Sequence, residues 1–260
     1  MPTYPSFSIR SQPTDSTCGP TCLHAVYQYW NDTISLEQVI EEIGQMTNGG
    51  TLAVQLACHA LKRGYQATID TWNVQLFDPT WFNSPHIDLR EKLAKQLNLK
   101  LAQSFRGTVE RERIAVATAC YMEFIELGGT LQMPDPSMDL MAKRLVVGEP
   151  VLCGLSSTFL YRECREMTKE DGADLASSDS NDLAGDPAGH FVVLYGIERT
   201  GNKIWIADPL TTNPLGEEHL YYASFEKVLA ALFLGIVTYD ANLLTIRPRR
   251  SQTTPPLDRT

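Results

Sequence analysis

The stretch Gln12-Pro-Thr-Asp-Ser-Thr-Cys18-Gly-Pro-Thr-Cys22-Leu23 decides how this chain is read. It sets a thiol beside a Gly-Pro turn, at the start of an apolar-periodic run. Cys22, Ala25, Val26, Tyr29 and Trp30 recur at helical spacing and predict a helix over 18–31. Helix N-termini carry unpaired N–H groups and a partial positive charge, so an anion there is stabilised. The thiolate is the nucleophilic form of cysteine, which makes Cys18 a candidate catalyst. Gln12 lies six residues upstream. Its amide NH₂, with the Cys18 backbone N–H, would donate to the oxyanion of a tetrahedral intermediate.

A cysteine nucleophile needs a histidine to hold the ion pair and to deliver a proton to the leaving group. Of the five histidines, His24 and His59 fall on predicted helices and read as structural. His86 sits in a proline-bracketed loop and His219 follows two glutamates, neither with an evident orienting partner. His190 is different. It opens a strand after Gly189, and the apolar runs Phe191–Ile197 and Lys203–Asp208 flank Arg199-Thr-Gly201-Asn as a hairpin signal. A three-residue loop, Arg199 to Gly201 with the glycine left-handed, makes Glu198 face Asn202 and Asp208 face Val192. Asp208 is then a diagonal neighbour of His190, on the same face. A loop one residue longer would set the two on opposite faces. Asp208-Pro209 also suits a strand end, since proline cannot continue the ladder.

Around these residues the chain reads as helices first and strands later. A second helix starts at Ser35, where Ser-Leu-Glu-Gln resembles a capping box. Further helices are expected over 51–62, 88–97, 109–127, 137–146 and 222–235. Strands are expected at 65–72, at 151–157 and through Thr245, with a loop over 78–87. This order predicts an α+β fold, its helical N-terminal part packed on an antiparallel β-sheet. Residues 1–247 read as a single domain. Segment 168–189, with six acidic residues and almost no large apolar side chain, reads as a mobile loop beside His190, a candidate lid or flap. It hints at a basic or small neutral substrate. Residues 248–260 read as a disordered tail.

Composition narrows the function classes. A net charge of −9 and no Lys/Arg cluster argue against nucleic acid and against an anionic membrane surface. The longest apolar run, Val228 to Val237, is ten residues, short of the ~20 a membrane helix needs. No signal peptide is evident at the N-terminus, and six widely spread cysteines do not suggest a disulfide framework. A cytoplasmic protein with reduced thiols is expected. Cys18, Cys22 and His24 lack the second ligand pair of a zinc site, so no metal or cofactor is expected. The remaining cysteines read as small core residues.

Gln12, Cys18-Gly19-Pro20-Thr21-Cys22-Leu23, Gly189-His190-Phe191-Val192-Val193 and Ile206-Ala207-Asp208-Pro209 together resemble the bacteriocin-processing, double-glycine-leader peptidase family. The resemblance implies a papain-like cysteine peptidase fold, a stand-alone bacterial member, and a peptide or small protein substrate. It implies Cys18 as nucleophile, His190 as base, Asp208 as orienting group and Gln12 as oxyanion donor. It does not extend to the middle of the chain. Roughly 75–135 reads as a helical insertion, and no G-x-x-x-x-G-K-[ST] motif is present. Two other functions fit the same residues. One is acyl transfer, for which phytochelatin synthase is a papain-like precedent. The other is a non-catalytic peptide-binding module. Oligomeric state is not readable.

Overall fold

The computed structural model describes residues 6–44, 50–102, 108–167, 179–216, 218–238 and 241–249. Three helices come first: α1 (Cys18–Tyr29), α2 (Leu36–Ile43) and α3 (Ala53–Lys62). Ser35 caps α2, its Oγ accepting from the Gln38 backbone N–H at 3.1 Å. Strand β1 (Tyr65–Thr71) follows, then a short 3₁₀ turn within 79–82, α4 (Leu89–Ala102), α5 (Thr108–Glu126), β2 (Thr130–Gln132) and α6 (Met138–Leu145). Next come β3 (Val151–Ser156), α7 (Ser157–Tyr161), β4 (Glu166–Met167), β5 (Asp179–Ser180), β6 (Gly189–Glu198) and β7 (Lys203–Ala207). The described chain ends with β8 (Leu220–Ser224), α8 (Phe225–Leu234) and β9 (Asn242–Pro248).

The fold is α+β. Among the described residues one seven-stranded sheet runs in the order β2-β1-β9-β3-β6-β7-β8. Every pair in it is antiparallel except the edge pair β1–β2, which is parallel. Both faces of the sheet are covered, and the period-2 alternation of the strands sorts residues between them. Phe191, Val193, Tyr195, Leu244 and Ile246 pack in a first core with α1, α3 and α5. Val192, Leu194, Ile204, Ile206 and Leu243 pack in a second core with α6, α7 and α8. The helices between residues 75 and 135 belong to the first core through Leu93, Ala117, Tyr121 and Phe124.

Three expectations need correction. Residues 220–224 form the edge strand β8, so 222–224 are not the start of the helix expected over 222–235. Leu220, Tyr222 and Ser224 face solvent while Tyr221 and Ala223 are buried, and Ser224 then caps α8 by accepting from the Lys227 N–H. The second half of the acidic segment is also no open loop. Asp179–Ser180 pairs with Glu166–Met167, and Arg165 donates to the Leu183 carbonyl at 3.2 Å. Backbone pairing and one guanidinium order a stretch that has little apolar surface to bury. Third, the strand expected to stop near Thr245 runs on through Pro248, paired with β1. Residues 168–178 and 250–260 lie outside the described residues.

Candidate active site

Cys18 is the first residue of α1 and is 7 % exposed. Its helix start is left without a side-chain cap. Thr17, at the N-cap, turns its hydroxyl back to donate to the Thr14 carbonyl at 2.8 Å. The first-turn N–H groups, Cys18's own included, therefore have no side-chain acceptor from the cap. Gly19 lets this end of the helix approach the sheet. A Cβ there would lie 3.3 Å from both the Phe191 ring and the Thr51 side chain. One turn further on, Cys22 is fully buried and its thiol donates to the Phe191 carbonyl at 3.2 Å. Burial, and then the charges of Cys18, Asp208 and Cys153, push that thiol far above its usual pKa. It stays a protonated bolt between α1 and the strand that carries the histidine.

His190, the second residue of β6, is 8 % exposed. Its Nε2 lies 2.9 Å from Asp208 Oδ1. The contact is reached by a different route from the one the hairpin pattern suggests. The loop is one residue longer than expected: Glu198 faces Lys203, and Asn202 rather than Gly201 takes the left-handed conformation (φ 52°). That register alone would have turned the two side chains to opposite faces. A β-bulge between Leu194 and Gly196 absorbs the extra residue, so Leu194 faces Ile206 and Val193 faces Ala207. The same-face relation of His190 and Asp208 is thereby restored.

Asp208 has no exposed surface, yet all four lone-pair directions of its carboxylate are used. Oδ1 accepts from His190 Nε2 and from the Leu210 N–H, each at 2.9 Å. Oδ2 accepts from the Tyr161 hydroxyl at 2.6 Å and the Tyr221 hydroxyl at 2.7 Å. Burial by itself would raise the pKa of this acid. The His190 charge and hydrogen bond, then Tyr161 and the Leu210 N–H, outweigh it and hold the carboxyl below its usual range. The imidazole is the mirror case. Burial opposes its protonation, but the Asp208 charge and hydrogen bond, reinforced by the neighbouring Cys18 side chain, raise it to about 10. With Nε2 committed to Asp208, Nδ1 is the nitrogen left to serve Cys18.

Gln12 is held to the same region by its backbone, whose N–H donates to the Pro209 carbonyl at 2.9 Å. One proton of its side-chain NH₂ goes to the Thr14 carbonyl at 3.1 Å, which leaves the second as a donor. Of the other histidines, His59 bridges Tyr27 (2.7 Å) and Glu42 (2.9 Å) among the helices, and His24 is buried in α1. His219 does have a partner, contrary to the sequence reading. Its Nδ1 contacts the Asp208 carbonyl at 2.8 Å and its own carbonyl accepts from the Asp208 N–H at 2.9 Å, so it braces the backbone under the carboxylate. Sequence reasoning missed this strap, and it missed Tyr161 and Tyr221. No local spacing links them to Asp208.

Among the described residues no group of three or more His, Cys, Asp and Glu side chains could hold a metal ion, and all six cysteines are free thiols. No described helix is long and apolar enough to cross a membrane. No protein-family model matches the chain, and no curated protein does. Among solved structures the chain is similar to a C39-like peptidase from Bacillus anthracis, with a TM-score of 0.48 and 16% identity over 95% of this chain and 96% of that one. It is also similar to the peptidase domain of Streptococcus ComA, a bifunctional ABC transporter of a quorum-sensing pathway. There the TM-score is 0.40, with 13% identity over 94% of this chain and 100% of that one.

Proposed function

We propose that this chain is a papain-like cysteine peptidase that cleaves a peptide or small protein through an acyl-thioenzyme. One observation carries the reading. A cysteine at an uncapped helix start neighbours an imidazole whose far nitrogen is bound to a buried carboxylate at 2.9 Å. Nucleophile, base and orienting group stand in the order that thiol catalysis needs.

In this reading the Cys18 thiolate attacks the scissile carbonyl carbon. The resulting oxyanion is held by the Cys18 backbone N–H and the free proton of the Gln12 amide. His190 gives its Nδ1 proton to the departing amine, the C–N bond breaks, and a thioester remains on Cys18. The neutral imidazole then takes a proton from water. The hydroxide formed attacks the thioester, and acid product and thiolate are released. Asp208 stays ionised throughout and keeps the imidazole turned toward the sulfur.

The test begins with the thiols. One equivalent of iodoacetamide at pH 6 is expected to label Cys18, which is almost buried, ahead of Cys164, which is exposed. A synthetic peptide mixture should then be cleaved by the wild type and not by Cys18→Ala, with an acyl adduct on Cys18 visible by mass spectrometry. Labelling of Cys164 first, or undiminished cleavage by Cys18→Ala, overturns the proposal. Added amines that end up joined to the acyl fragment would convert hydrolysis into transfer.

A further inference from the structure

Asp208 is surrounded by more than a triad requires. Its Oδ2 receives two phenolic hydroxyls at 2.6 and 2.7 Å, Tyr161 from α7 and Tyr221 from β8. These residues are 47 and 13 positions away in sequence and come from different elements. The Tyr161 ring also lies 6.0 Å from the His190 ring, tilted by 55°, so it covers the imidazole as well as bonding its partner. We infer that Tyr161 and Tyr221 act as a two-hydroxyl clamp. Acting through Asp208, they are positioning residues that keep the buried carboxylate ionised and aimed, so that His190 serves Cys18. This rests on the peptidase reading above for its catalytic consequence, but the clamp itself is a statement about Asp208.

The physical case runs through charge burial. An ionised carboxylate with no exposed surface is very costly unless each lone pair is matched. Charged acceptors make the stronger hydrogen bonds, and these two are short. With Oδ1 already shared between His190 and the Leu210 N–H, Oδ2 has no other described donor than the two tyrosines. Both hydroxyls are held far above the ordinary phenol pKa, by burial first and by the Asp208 charge second, so they remain donors across the working range. The other ionisable groups facing Asp208 are His190 on β6, Cys22 on α1, and His219 against its backbone. Of these only the imidazole donates to the carboxylate.

The neighbourhood is built to hold the clamp. Ser156 caps the five-residue α7, accepting from the Phe159 N–H at 3.4 Å. Arg162 closes the helix in the left-handed region (φ 62°), directly after Tyr161. Ser157 N–H donates to the Ala188 carbonyl, and Ala188 N–H donates to the Thr158 hydroxyl. The helix that carries one hydroxyl is thus tied to the segment that leads into His190.

Tyr161→Phe, Tyr221→Phe and the double variant keep every ring and remove only the hydroxyls. Without them the uncompensated carboxylate takes up a proton more readily, so Asp208 titrates at higher pH. The acid limb of kcat/KM should move up by about one pH unit in the double variant, a tenfold loss well below neutrality, with KM little changed. Each single variant should move it less. A second measurement needs no turnover: the Asp208 carboxyl carbon, followed by ¹³C NMR in a Cys18→Ala background, should titrate at higher pH when both hydroxyls are gone. If that midpoint stays where it is in a folded double variant, or in both singles should the double fail to fold, the clamp is refuted. If it moves while the wild type cleaves no peptide, the clamp stands and the peptidase reading falls.

Discussion

Replacing His190 by Gln leaves Asp208 a hydrogen-bond donor but removes the proton that the imidazole carries, and that changes how folding stability depends on pH. In the folded chain His190 keeps its proton up to about 10, because the Asp208 charge and hydrogen bond outweigh the cost of burial. In the unfolded chain it titrates near the ordinary ~6.5. Below about pH 6.5 both states hold the proton, and the stabilisation is fully present. Above it, only the folded state does, so the unfolding free energy falls by up to about 1.36 kcal/mol per pH unit. Across the window to pH 10 that comes to about 4–5 kcal/mol at most, a large share of a typical 5–15 kcal/mol domain stability. Urea unfolding of wild type and His190→Gln at pH 6, 7, 8 and 9 isolates the effect, since the other titrating groups are common to both. The stability gap should be widest at pH 6 and should shrink steadily toward pH 9. At the acid end the sign reverses. Asp208 is held below its usual range, so its contribution is present above about pH 4 and is lost as pH falls further. Curves for the two proteins that stay parallel within about 1 kcal/mol from pH 6 to 9, less than one pH unit of the expected slope, would refute the charged His190–Asp208 pair.

Three further outcomes follow from the same geometry. Gly189→Ala places a Cβ 2.7 Å from Thr238 Oγ1 and 2.9 Å from its Cβ. It should cost about 1–3 kcal/mol by urea unfolding and displace His190, with partial recovery when Thr238→Gly is added. Gln12→Ala should lower kcat by roughly 10²–10³ with KM almost unchanged, as loss of one oxyanion donor does. An equal loss in KM would make Gln12 a binding residue instead. Ser35→Ala removes the cap of α2 and should destabilise the fold by about 1 kcal/mol without altering the pH profile of activity.

Much of the site was legible because it is local. Cys18 at a helix start is a matter of the residues immediately around it. His190 and Asp208 were paired from hairpin periodicity, and they do meet. The route was different, however. The turn takes four residues with Asn202 left-handed, and the bulge between Leu194 and Gly196 corrects the register. Two departures from the simple pattern cancel, and neither has a composition signal of its own. Residues 222–224, which periodicity assigns to a helix over 222–235, belong instead to the edge strand Leu220–Ser224 for a related reason. Five residues are too few for alternation to stand out from a neighbouring helical run, and only pairing with β7 makes them a strand.

By itself the sequence determined the elements whose causes lie within a few residues. These are the start of α1, the cap of α2, and the two hairpin strands that carry His190 and lead into Asp208. Tertiary structure alone decided what crosses the chain. Tyr161 and Tyr221 saturate Asp208, His219 straps its backbone, and the Cys22 thiol ties α1 to β6. The reason is physical. Periodicity records which face of an element is buried, whereas the partner of a buried polar group is chosen only when separate elements close around it and each lone pair must find a donor.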